Sequence, residues 1–92
     1  MAELMLKIVT PSGSRESIPC DSVQLTVSDS AQGKGGGSYG IRPGHTKALF
    51  SLKEGPIRAF LAGQPVLTGT CERGFATVEQ NTVTVVAEGY RE

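Results

Sequence analysis

Hydrophobic residues recur at every second position through much of this chain. Leu4, Leu6 and Ile8 alternate with Met5, Lys7 and Val9. Val23, Leu25 and Val27 alternate with Ser22, Gln24, Thr26 and Ser28. Ile57, Ala59 and Leu61 alternate with Arg58, Phe60 and Ala62. Phe75 and Thr77 alternate with Ala76 and Val78, and Val83, Val85 and Ala87 with Thr82, Thr84 and Val86. A period of two puts successive side chains on opposite faces of a strand, so each run predicts a half-buried β-strand.

Turn chemistry separates the runs. Thr10-Pro11-Ser12-Gly13 ends the first strand, and Ala62-Gly63-Gln64-Pro65 and Gln80-Asn81 each read as a hairpin. Residues 28–38 are rich in glycine and serine and poor in apolar residues, which predicts a flexible surface loop. Helix is scarce. Only His45 to Leu52 has room for a helical turn, and the same residues are equally compatible with an extended run. The expectation is an all-β chain: an antiparallel two-sheet β-sandwich or flattened barrel of about eight to ten short strands.

The 92 residues form a single domain, 1–92, with a modest core. At this size every long apolar side chain is expected to serve packing. Nine basic and nine acidic residues cancel, so no electrostatic footprint for nucleic acid or anionic lipid is present. No apolar run approaches the ~20 residues of a spanning helix. The first residues, Met1-Ala2-Glu3-Leu4-Met5-Leu6-Lys7, lack the basic and apolar blocks of a signal peptide, which points to the cytoplasm. In that compartment Cys20 and Cys71 are expected to be separate reduced thiols, although sequence leaves a disulfide between them open.

Candidate chemistry is thin. Gly33-Lys34-Gly35-Gly36-Gly37-Ser38 offers a lysine and unhindered amides, but it lacks phosphate-loop spacing and the strand-to-helix setting of that motif. His45, Cys20 and Cys71 are isolated, whereas structural zinc ligands come in close pairs. No third group marks either cysteine as a nucleophile paired with His45, and the carboxylates are dispersed. The expectation is a non-enzyme with no cofactor and no metal.

The segment Tyr39-Gly40-Ile41-Arg42-Pro43-Gly44-His45, followed by Leu49, Leu52 and Gly55, changes the picture. It resembles the signature turn of the epsilon subunit of F-type ATP synthases. The likeness extends from Leu6-Lys7-Ile8-Val9-Thr10-Pro11 through Asp21-Ser22-Val23-Gln24-Leu25-Thr26-Val27 to Gly74-Phe75-Ala76-Thr77-Val78, Asn81 and Val83-Thr84-Val85-Val86-Ala87-Glu88. It implies the N-terminal β-sandwich of that subunit. The chain departs from the family in its long glycine-rich loop and in Arg73, where a second glycine often stands. It also stops at Glu92, before the family's C-terminal helical hairpin.

The resemblance implies a non-catalytic central-stalk subunit on the cytoplasmic face of the membrane, held there through its complex. Its partners would be gamma and the polar loops of the c-ring, and its role would be to couple ion flow to ATP synthesis or hydrolysis. It further implies a c-ring side made by Asp29, Lys34, Tyr39, Arg42 and His45. A gamma side would be made by Thr10, Ser12, Thr46, Lys47 and Leu49. The alternatives are an unrelated all-β module that binds protein or peptide along a sheet edge, or a small metal or nucleotide enzyme built on the loop, Cys20, Cys71 and His45.

Overall fold

The computed structural model describes residues 3–14, 17–27, 37–44 and 47–92. Among them there is no helix. Eleven strands follow in chain order: β1 (Leu4–Thr10), β2 (Gly13–Ser14), β3 (Ile18–Cys20), β4 (Ser22–Val27), β5 (Gly37–Ile41), β6 (Ala48–Leu52), β7 (Gly55–Leu61), β8 (Gln64–Cys71), β9 (Gly74–Glu79), β10 (Thr82–Ala87) and β11 (Tyr90–Arg91). Residues 48–52, compatible with helix or strand in the sequence, are extended as β6. Gly37 and Ser38, placed in the loop by composition, begin β5. The strands too short to show a period, β2, β3 and β11, are the additions to the expected set.

Hydrogen bonding runs through one continuous sheet in the order β11-β8-β7-β4-β6-β9-β10-β1-β2, with β5 on β4 and β3 on β1. Between β4 and β6 the continuity narrows to one residue pair, Val27 with Leu52. The sheet folds over at this seam into two layers. One holds β5, β4, β7, β8 and β11; the other holds β6, β9, β10, β1, β2 and β3. Pairing is antiparallel except for β1 with β10, where Leu6 lies beside Val83 and Ile8 beside Val85 in parallel register.

The core fills the space between the layers. Val23, Leu25, Ile41, Ile57, Ala59 and Leu67 come from one, and Leu4, Leu6, Ile8, Val78, Val83 and Val85 from the other. These are the inward members of the period-two runs. The hairpins predicted by turn chemistry form as two-residue turns with both central residues at positive φ: Ala62 (54°) with Gly63 (80°), and Gln80 (51°) with Asn81 (61°). That geometry matches the twist of the flanking strands.

Close approach at the folded end explains one glycine. A Cβ on Gly74 would land on the Val86 carbonyl oxygen. The expectation that every long apolar residue packs inside does not hold. Leu49 is 69% exposed and Phe75 44%, because both lie on outward-pointing positions of β6 and β9.

Two leucines therefore give opposite outcomes. Leu6→Ala empties fully buried volume and should cost about 2–5 kcal/mol, whereas Leu49→Ala should stay within about 0.5 kcal/mol. Urea midpoints at fixed m-value measure both. Gly74→Ala should destabilise at least as much as Leu6→Ala.

Candidate partner interfaces

The strands carry their loops to two ends of the sandwich. At the folded end lie Val27 and Gly37, paired at the ends of β4 and β5. Beside them are the turns from Leu52 to Gly55 and from Cys71 to Gly74, and the link from Ala87 to Tyr90. Backbone bonds lace these turns: the Glu72 amide donates to Gly89 (2.9 Å) and the Glu88 amide to Arg73 (2.9 Å). Exposed ion pairs lie over them, Arg73 with Glu88 (3.7 Å) and Arg91 with Glu54 (3.4 Å) and Glu72 (4.0 Å). A shallow depression joins this end to Thr10, Ser12 and Gly13 of the first turn. Thr10 shapes that turn: its Oγ1 donates to the Gly13 carbonyl (3.1 Å) and accepts from the Ser12 amide (3.2 Å).

At the other end, β5 delivers Arg42-Pro43-Gly44 beside the β9–β10 hairpin. The Gly44 amide donates to Asn81 Oδ1 at 2.8 Å, which ties the signature turn to that hairpin. Asn81 also passes its carbonyl to the Met5 amide (3.0 Å). Lys47 pairs with Glu79 at 3.7 Å, both well exposed. The Ala62 amide of the other hairpin donates to Asp21 (2.9 Å).

Between the ends, the outer face of the β6-β9-β10-β1 layer is largely uncharged. Register places Leu49, Thr77, Thr84 and Lys7 in one row, and Ser51, Phe75, Val86 and Val9 in the next. Leu49 and Phe75 are diagonal neighbours on this face, within reach of one another for large side chains. At the open edge of the sandwich, Tyr39 packs on Phe50 with ring centroids 4.7 Å apart.

The two residue groups drawn from sequence do not map one to each end. Thr10 and Ser12 share the folded end with Val27 and Gly37, whereas Arg42 and Lys47 lie at the other end and Leu49 on the outer face. Tyr39 sits on β5 between them. Asp29, Lys34, His45 and Thr46 lie outside the described residues, so the reading of residues 33–38 as a phosphate loop and the His45 set do too, apart from Gly37 and Ser38 in β5. Sequence reasoning missed Phe75 as a surface residue. Its signal was present: Phe75 alternates with Ala76 and Val78, and only one set faces inward. It also missed Asn81 as the tie to the signature turn, which no local pattern reports.

Cys20 and Cys71 are both free and buried. They sit at opposite ends, Cys20 opposite Leu4 and Cys71 opposite Gly55 and Tyr90. Burial pushes the Cys20 thiol up, with the Asp21 charge adding to it. Burial alone pushes Cys71 from 9.0 to about 11. Among the described residues no three His, Cys, Asp or Glu side chains gather into a metal-holding group. With no helix among them, the described residues hold no helix long and apolar enough to cross a membrane.

These features define an all-β sandwich domain with a charged, laced end, a pinned turn at the other end, and an apolar face between. The family model described as ATP synthase, Delta/Epsilon chain, beta-sandwich domain matches residues 3–91, and the chain belongs to that family. The sequence resemblance thus holds at family level, and the reading as an unrelated module is overturned. No curated protein matches. Among solved structures, a chain of the Tetrahymena thermophila mitochondrial ATP synthase central stalk and c-ring structure superposes with a TM-score of 0.74 at 12% identity. It covers 98% of this chain and 66% of its own. A chain of the Euglena gracilis mitochondrial ATP synthase structure, described as OSCP, F1 and c-ring, gives 0.77 at 16% identity. It covers 99% of this chain and 54% of its own. The chain thus spans between half and two-thirds of those relatives, and at these identities they show the shared fold.

Two measurements follow. Asn81→Gly keeps the turn but loses the Gly44 bond, so it should cost about 1 kcal/mol. Asn81→Ala adds left-handed strain and should cost about 1–2 kcal/mol more. The Gly44 amide should exchange faster with solvent in both. For Cys71, the unfolded thiol loses its proton near pH 9 while the folded thiol holds it to about pH 11. This contribution is therefore intact below pH 9 and lost as pH rises through that window. Urea midpoints at pH 8 and 10.5 should fall less for Cys71→Ala than for the parent.

Proposed function

We propose that the chain is a non-catalytic rotor subunit in the central stalk of an F1Fo ATP synthase. The family match across residues 3–91 carries the reading. In it, the sandwich joins gamma to the polar loops of the c-ring and turns with both. Ion flow through the ring is thereby coupled to ATP synthesis or hydrolysis in the catalytic head. The chain is peripheral, on the cytoplasmic face of the membrane, and is held there through the complex.

The task is mechanical, and a small two-layer sandwich with a continuous sheet supplies a stiff body for it. The folded end faces the ring: it carries exposed charges together with Thr10 and Ser12. A wet, charged surface suits polar loops. The other end and the outer face meet gamma through Arg42, Lys47, Leu49 and Phe75. Apolar residues on that face suit the packed centre of an interface. Tyr39, at the open edge, lies between the two.

A tagged chain recovered from detergent-solubilised membranes of its source cell should bring gamma and ring subunits in fixed proportion, read by mass spectrometry. Leu49→Asp should fold normally yet weaken the capture of gamma at least tenfold. A folded chain that recovers neither partner would leave the family fold in place and remove the stalk role.

A further inference from the structure

The link from Glu88 to Glu92 is attached by a different kind of contact from the rest of the sandwich. β11 has only two ladder positions, Tyr90 opposite Cys71 and Arg91 opposite Thr70. Its remaining ties include the Glu72 amide on the Gly89 carbonyl and the ion pairs of Arg91 with Glu54 and Glu72. All three of those side chains are about half exposed or more, so the pairs are weak and open to screening by salt. Tyr90 lies directly over Gly69, where a Cβ would meet its ring. Beside β11, Cys71 lies opposite Tyr90 in the ladder and is only 4% exposed.

Apart from the equally short β2, the other strands are held by longer ladders, and all but β2 and β11 contribute inward side chains to the buried core, which Tyr90 meets only at its edge. Cys20 shows the contrast. It lies at the opposite end, fully buried against β1, whose pairing with β10 runs over five residue pairs.

We infer that residues 88–92 form a salt-sensitive strap that opens without unfolding the sandwich, uncovering Cys71 and the Thr70–Cys71 edge of β8. The strap holds few contacts, and segments of that kind open at much lower free energy than the body of a domain. Opening removes two ladder pairs, the Glu72–Gly89 and Glu88–Arg73 backbone bonds, the packing of Tyr90 on the edge of the core and three screened ion pairs, and leaves the seam, both hairpins and the β1–β10 pairing in place. The thiol then meets solvent, and a short strand edge becomes available for pairing. The inference stands independently of the stalk role.

The test uses the whole chain and neutral iodoacetamide as probe, with labelled peptides resolved by mass spectrometry. Cys71 should label at least tenfold faster than Cys20. Raising NaCl from 0.02 to 0.5 M should speed Cys71 about three- to tenfold, the range set by screening exposed pairs, with Cys20 and the melting temperature nearly unchanged. Arg91→Ala should speed Cys71 at low salt and abolish most of its salt response. Gly69→Ala, which displaces the Tyr90 ring, should speed it further. Equal labelling of both cysteines, or a Cys71 rate indifferent to salt and to Arg91→Ala, would overturn the strap. Both variants keep the two cysteines, and the salt series needs no variant at all.

Discussion

The fold depends on a sheet bent double across a seam of one residue pair, Val27 with Leu52. A sheet cannot turn so sharply unless backbones come unusually close, and the residues around the seam allow that. The Lys53 amide reaches the Thr26 carbonyl (3.3 Å), and Thr26 Oγ1 donates to the Pro56 carbonyl (2.9 Å). Gly55 lies against the Thr26 side chain and Gly74 against the backbone of Val86 and Ala87, with no space for a Cβ at either. Once the bend is made, the inward residues of both layers meet and the apolar area leaves water together. Core, ends and outer face all follow from where that bend falls.

The body of the fold was legible in the sequence because its information is local. A period of two needs only four or five residues to declare itself, and β1, β4, β7, β9 and β10 did so. The hairpins at Ala62-Gly63 and Gln80-Asn81 were legible for the same reason, since turn chemistry is written in adjacent residues. Strands of two or three residues hold no period, so β2, β3 and β11 were silent. Nor does alternation say which of two strands will be neighbours. The parallel pairing of β1 with β10 joins segments at opposite ends of the chain and left no local mark.

The candidate interfaces were legible only in part. Family resemblance gave residues and a grouping by partner, but not which of them share an end of the sandwich, because that depends on how the strands carrying them are placed in the fold. Tyr39 and Arg42 are three positions apart, yet one faces the open edge and the other enters the pinned turn. Leu49 was named from its place after the signature, and its exposure came from the register of β6 on β9. The pin itself, Asn81 on the Gly44 amide, joins residues far apart in the chain and required the folded structure.

The parallel pairing of β1 and β10 carries a consequence for how the protein is made. β1 leaves the ribosome well before β10, with Leu4, Leu6 and Ile8 already in alternation. Its partner on one side is separated from it by most of the other strands of the domain. Until β10 arrives, β1 has only the short strands β2 and β3 to shield it, which leaves an apolar strand edge open while β4 to β9 are made. Non-local pairing of this kind slows folding and exposes the nascent chain to aggregation. Production of this domain should thus be governed less by its final stability than by how well β1 is guarded until β10 is made.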